Sequence, residues 1–289
     1  MNKRLDFMCV GVQKGATSTL HDILVQHPNL GLPNFKETHF FSDDKKYEKG
    51  LQYYFKNNFK KSDATFMGEI DPEYCYFPKT AIRIHKAFPN CKIIFILRNP
   101  VDRAYSQYLM TKRIGRETLG FIEAVYSENQ RLNNYFSQLH YSYISRGFYT
   151  KQITRYYNLF GKENVGVFLF EDIIKNPSKI VKEISQFIGL PDYDYDYEIK
   201  SNVASEAKST IIRDFIFKPN KLKKYVGKIL PTKKIKDRIM YKLYNANLKD
   251  AKKEPLNIEL KSKIYKEFYI SEIDKLEALL GRDLSSWKN

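Results

Sequence analysis

The chain has 289 residues, a formal net charge of +16, and 43% hydrophobic and 28% charged residues. That is enough apolar material for a sizeable core, and no apolar run reaches the roughly 18 residues of a membrane span. Three cysteines without metal spacing or a pairing pattern point to buried reduced thiols and exclude a disulfide scaffold. Phe7–Val12 reads as a buried strand, followed across a small, basic, hydroxyl-rich turn by a helix at Thr17–Gln26. A helix at Tyr47–Asn57, a strand at Thr65–Ile70 and a helix at Lys79–Ala87 come next. Lys92–Leu97 is a continuous apolar strand, with helices at Val101–Lys112, Phe121–Gln130 and Tyr149–Phe160 after it. A strand at Val165–Phe170 and a helix at Lys179–Ile188 complete the pattern. Strands alternating with helices imply an α/β fold with a central parallel sheet flanked by helices.

The first strand, its turn and its helix form an anion cradle. Backbone N–H groups at a helix N-terminus point at a ligand, and the helix dipole favours negative charge. Lys14 adds a point charge, and Thr17, Ser18 and Thr19 add hydroxyl donors beside Gly15 and Ala16. In the Walker pattern the lysine follows the last glycine; here Lys14 precedes Gly15, which argues against an ordinary ATPase or GTPase. The domain is therefore read as P-loop-like, one domain over residues 1–289 with a basic helical insertion at about 211–250. The strand Lys92–Leu97 ends in Arg98, whose guanidinium can fork onto a phosphate, with Ser106 two turns along the next helix. The plainer alternative pairs Arg98 with Asp102 and leaves Ser106 at the surface. Lys14, Glu69 and Arg98 all fall at or just beyond strand ends, where ligands of parallel sheets bind.

Several segments resemble the sulfotransferases that use 3′-phosphoadenosine 5′-phosphosulfate (PAPS). The turn Gly11-Val12-Gln13-Lys14-Gly15-Ala16-Thr17-Ser18 is similar to their 5′-phosphosulfate loop, and Arg98 with Ser106 to their 3′-phosphate motif. Lys36-Glu37-Thr38-His39-Phe40-Phe41 resembles the K-E-x-x-F-F element of glycan-acting members, which implies Glu37 as general base, with His39 as its rival. The same resemblance implies Lys14 at the leaving phosphate. Ser145-Arg146-Gly147-Phe148-Tyr149 is similar to an R-G-x-Y element, which places Arg146 and Tyr149 at the cofactor or, for Arg146, at the sheet edge. Lys208 and Ser209 fall in an element similar to one that closes over the 3′-phosphate, although its proline is missing. Leu276–Trp287 resembles the closing segment of bacterial members. Two departures stand out. Ala16 replaces the second glycine of K-G-G, which is tolerated unless the backbone there is left-handed. Ile70 stands where heparan-type enzymes carry a lysine, so Lys14 works alone or another cation substitutes. Glu69, Asp71 and Glu73, with Tyr74, are then expected on the acceptor side, unless the acids are simply loop residues.

The implied activity is sulfuryl transfer from PAPS, leaving 3′-phosphoadenosine 5′-phosphate (PAP), to a hydroxyl or amine of an oligosaccharide, glycolipid or capsule-type polysaccharide, with no metal. A small non-sugar acceptor, and a non-catalytic nucleotide-binding or membrane-docking module, are the alternatives. Lys218–Arg238 holds nine Lys or Arg residues among apolar ones. It reads as a membrane-docking element for anionic lipid, as an acceptor groove, or as a solvated basic face. No zinc-finger, RNP or helix-turn-helix signature suggests nucleic acid. Met1–Arg4 leads directly into a polar-flanked strand, so no signal peptide is expected, and the location is read as cytoplasmic, with the basic segment a candidate contact for the inner membrane face.

Overall fold

The computed structural model describes residues 4–60, 64–198, 205–217, 239–240, 242–244, 246–250 and 255–288. The expected basic segment Lys218–Arg238 lies outside the described residues. The strands of the main sheet are β1 (Phe7–Gly11), β2 (Leu30–Gly31), β3 (Phe66–Ile70), β4 (Lys92–Leu97) and β5 (Val165–Leu169). Helices in the first half are α1 (Thr17–Leu24), α2 (Asp44–Tyr47), α3 (Gly50–Asn58), α4 (Pro78–Ala87) and α5 (Pro100–Arg113). Then come α6 (Phe121–Tyr126), α7 (Glu128–Arg131), α8 (Tyr135–Tyr141), α9 (Tyr149–Phe160), α10 (Phe170–Lys175), α11 (Pro177–Ile188) and α12 (Thr210–Phe217). Among the described residues, no helix is long and apolar enough to cross a membrane.

Two compact units emerge. The first is drawn from Met1–Arg103, Arg146–Asn202 and Lys261–Asn289, the second from Ala104–Ser145 and Val203–Leu260. In the first, the five strands form one parallel sheet in the order β2-β3-β1-β4-β5. The chain leaves central β1 for the β2 edge, returns through β3, and then crosses β1 to reach β4. That reversal opens a crevice at the carboxyl ends of β1, β3 and β4. Strands covered on both faces read as continuous apolar runs, which is why β1 and β4 were visible in the sequence.

Alternation sorts the side chains into two cores. Phe7, Cys9, Ile94 and Ile96 pack with Leu20, Ile23, Leu24, Val181 and Ile184 of α1 and α11. On the other face Phe95 meets Tyr156 of α9 at 5.3 Å, beside an aromatic cluster of Phe41, Tyr54, Phe55 and Phe88. Cys9, Cys75 and Cys91 are buried free thiols, and burial pushes Cys9 and Cys75 up to about 12. Helix ends follow their caps. Asn99 Oδ1 accepts from the N–H groups of Val101 and Asp102 and so starts α5 at Pro100. Asn176 caps α11 from the Lys179 N–H, starting it at Pro177. The single helix expected at Tyr47–Asn57 is instead two, because Asp43 caps α2 and Gly50, the first residue of α3, turns left-handed (φ 77°). Phe170, expected in the last strand, opens α10. In the second unit, buried Glu117 accepts from Arg131 and from Tyr143, and a short antiparallel pair joins Ser205–Ala207 to Leu248–Asp250.

A Cβ on Gly68 of β3 would stand 2.1 Å from the Phe7 ring of β1. Gly68→Ala must therefore displace a core aromatic. The expected loss is about 1–3 kcal/mol in urea unfolding; an unchanged midpoint and slope would contradict this packing.

Candidate active site

The turn after β1 is pinned to the sheet. Val12 N–H donates to the Ile96 carbonyl at 3.0 Å, and Gly15 N–H to the Val12 carbonyl at 3.0 Å. A Cβ on Gly15 would lie 2.3 Å from the Ile96 carbonyl, so only glycine lets the turn lie this close to β4. Lys14 (φ 72°) and Ala16 (φ 66°) flank it in the left-handed region. The condition under which alanine is unfavourable at position 16 is thus met, at roughly 1–2 kcal/mol. Ala16 is also the N-cap of α1 and offers no side-chain acceptor, so the amides of Thr17, Ser18 and Thr19 open onto the turn without a side-chain cap. A concave set of N–H groups at a helix N-terminus suits an anion.

Arg98 reaches the same turn from β4. Its guanidinium donates to the Lys14 carbonyl at 3.1 Å and lies 4.4 Å over the Phe170 ring. Its own carbonyl accepts from the Tyr149 hydroxyl at 2.8 Å. Next to it, the Asn99 amide donates to the Trp287 carbonyl at 3.0 Å, and Trp287 packs on Tyr149. The closing segment therefore holds the end of β4 in place.

The third part is the segment Lys36–His39. Glu37 (φ 66°) and His39 (φ 54°) are both left-handed, and hydrogen bonds hold Thr38 between them. The Thr38 hydroxyl donates to Glu69 Oε1 at 2.5 Å and its N–H to the same oxygen at 3.3 Å, while Lys46 Nζ donates to the Thr38 carbonyl at 2.7 Å. His39 N–H donates to Asp71 Oδ2 at 2.7 Å, and the imidazole Nδ1 forms an ion pair with that oxygen at 3.2 Å. Lys36 Nζ lies 2.5 Å from Glu37 Oε1 and 3.4 Å from Thr17 Oγ1, so it ties this segment to the cradle.

Electrostatics separate the acids. Burial and the neighbouring Asp71 charge hold Glu69 above the ordinary carboxylate range, against hydrogen bonds from Thr38, Tyr54 and Tyr74. Burial opposes charge on Asp71 too, but the facing His39 and two backbone N–H groups hold it below its ordinary value. For His39, burial alone would lower the pKa; Asp71 overrides it, with Glu73 and Glu37 adding, and raises it to about 9.

Glu69, Asp71, Glu73 and Tyr74, expected to face the acceptor, are buried and bonded to protein partners. Tyr74 donates to Glu69 Oε1 at 3.0 Å, and Tyr54 to Glu69 Oε2 at 2.5 Å. The hydrogen bonds of Glu69, Asp71 and Tyr74 include those to one another and to Thr38 and His39 of the Glu37 segment. Arg146 and Tyr149 are likewise interior. Arg146 pairs with Glu73 Oε2 at 2.6 Å, and Glu73 Oε1 accepts from Gln13 of the cradle at 2.9 Å. Lys14, Gly15, Ala16, Thr17, Ser18, Thr19, Glu37, His39 and Arg98 share the first unit. Ser106, Lys208 and Ser209 belong to the second unit. There Lys208 Nζ donates to the Ala246 carbonyl, and Ser209 N–H to Asn247 Oδ1. Sequence reasoning missed Lys36, Gln13 and Glu73 as bridging residues. Lys36 at least stood within the K-E-x-x-F-F element; Gln13 carried no signal.

The chain matches the family model described as the sulfotransferase domain over residues 4–272, and it belongs to that family. It is 28% identical over 204 residues to a bifunctional heparan sulfate N-deacetylase/N-sulfotransferase 1 of Caenorhabditis elegans, covering 68% of this chain and 23% of that protein. To human heparan sulfate glucosamine 3-O-sulfotransferase 5 it is 28% identical over 206 residues, 67% of this chain and 56% of that protein. The matches thus span about a quarter to about half of these relatives' length. A crystal structure of a sulfotransferase from Alicyclobacillus acidocaldarius superposes with a TM-score of 0.69 at 27% identity, covering 99% of both chains.

The His39–Asp71 pair makes a pH prediction. A histidine raised from 6.5 to about 9 contributes stability that is complete below pH 6.5 and is lost as pH rises through about 9. The His39 imidazole should titrate near pH 9 by NMR and fall toward 6.5 in Asp71→Asn. In His39→Asn, which tolerates left-handed backbone, the loss of stability between pH 6.5 and 9 should flatten. A wild-type midpoint near 6.5 would contradict the pair.

Proposed function

We propose that this chain is a PAPS-dependent sulfotransferase acting on a carbohydrate hydroxyl or amine. The observation that carries the reading is the convergence of three separate motifs on one crevice. Arg98 bonds the Lys14 carbonyl, and Lys36 bonds both Thr17 and Glu37. The sugar acceptor is suggested by the heparan-directed relatives. Phe35, 81% exposed beside Lys36 and Glu37, offers an apolar face for a sugar ring.

The donor supplies the sulfuryl group. Every other part of the reaction is assigned to this chain's residues. The N–H groups of residues 15–19 would hold the 5′-phosphate, with Lys14 balancing charge that develops on it. Arg98 would take the 3′-phosphate, its guanidinium already oriented by Phe170 and the Lys14 carbonyl. Glu37 would accept the acceptor's proton as the acceptor oxygen bonds sulfur. The sulfur–oxygen bond to the 5′-phosphate then breaks, and its electron pair stays on that phosphate. Glu37 is favoured over His39 because His39, raised to about 9 beside Asp71, already carries its proton at neutral pH.

Calorimetry tests the reading. PAP should bind in preference to ATP and GTP. Arg98→Ala and Lys14→Ala should each weaken PAP binding by about tenfold or more, the value of a charged hydrogen bond. Glu37→Gln should keep PAP affinity and lower transfer to a sugar acceptor by about 10²–10⁴-fold. Preference for ATP, or full transfer by Glu37→Gln, would overturn the assignment.

A further inference from the structure

In the resemblance to heparan-type enzymes drawn from the sequence, Ile70 stands at a lysine position. Its side chain is 1% exposed and lies in the apolar core with Cys9, Leu20 and Ile23. No charge reaches the crevice from that point, yet sulfuryl transfer builds negative charge between the departing phosphate and the incoming oxygen. Another ammonium stands between the cradle and Glu37. Lys36 Nζ stands 3.4 Å from Thr17 Oγ1, the first residue of α1, and 2.5 Å from Glu37 Oε1. It therefore spans the anion cradle and the base, the two ends between which the group must pass.

We infer that Lys36 contacts the sulfuryl end of the donor and supplies the cation absent at Ile70. The inference rests on the sulfotransferase reading above. Three features distinguish Lys36 from an incidental surface ion pair. Its side chain is only 17% exposed, so its stem is packed and its head is directed. It reaches across 19 residues of sequence to the cradle and is not confined to its neighbour Glu37. Its backbone is continuous with a segment fixed by Thr38–Glu69, Lys46–Thr38 and His39–Asp71. A lysine head on such a support is preorganised, which is what electrostatic stabilisation of a transferring group requires.

The test compares PAP with PAPS, which differ only by the sulfuryl group, in titration calorimetry without acceptor. Wild type, Lys36→Met, Lys36→Gln and Lys36→Arg are measured side by side. In Lys36→Met and Lys36→Gln, PAPS affinity should fall about tenfold while PAP affinity stays within about threefold. Lys36→Arg, which keeps the charge, should retain most of the preference. Equal loss for both nucleotides would show that Lys36 only supports the cradle, and no loss for either would show that it is idle; both overturn the inference. The two neutral variants differ in shape, so a folding failure in one leaves the other to decide. If the wild type binds neither nucleotide, the sulfotransferase reading falls as well; if it binds PAP but Lys36 is neutral to PAPS, only Lys36 falls.

Discussion

Three buried carboxylates leave β3 at alternate positions, and the rest of the site hangs on them. Glu69 and Asp71 hold the two sides of the Glu37 segment, through Thr38 and His39. Glu73 holds the cradle through Gln13 and the interior through Arg146. A carboxylate removed from water is costly unless it is paired and hydrogen-bonded. Burial therefore compels each acid to keep its partners, among them Thr38 and His39 of the Glu37 segment and Gln13 of the cradle. Asp71 remains charged opposite an imidazolium, whereas Glu69, bonded to three hydroxyls, is driven toward its neutral form. Removing any one partner would leave a buried charge or an empty donor, not a small vacancy.

Against this support stands local strain. Lys14, Ala16, Glu37 and His39 are left-handed without being glycine. Each such residue costs roughly 1–2 kcal/mol and persists only where its surroundings over-determine it. All four lie in the two loops joined by Lys36. The strain and the buried acids are two sides of one arrangement: expensive pairing at the end of β3 keeps expensive backbone in place, and the result is a rigid crevice.

Much of this was legible in the sequence. The apolar runs of β1 and β4, the small-residue turn between β1 and α1, and the Arg98-Asn99-Pro100 boundary each carry a local signal. Asn99 is a helix cap and Pro100 a first helical residue, so that boundary appears where the chain says it should. What was hidden is non-local. Acids at positions 69, 71 and 73, at and just beyond a strand end, read as acceptor-facing or loop residues, because nothing nearby reveals that they are buried. The two residues of β2 are too few for a pattern. Ala16 hides its left-handed backbone, since glycine, the usual sign, is absent. Lys36 was read as part of a motif, and its reach to Thr17 exists only once α1 is packed.

The most direct test of a preorganised crevice is a crystal structure of the PAP complex. The expected result has the 5′-phosphate on the N–H groups of residues 15–19, Lys36 facing the place the sulfuryl group of PAPS would take, and the Thr38–Glu69 and His39–Asp71 contacts unchanged. A nucleotide bound elsewhere, or a Glu37 segment that lets go of Glu69 and Asp71 to accept it, would contradict the account.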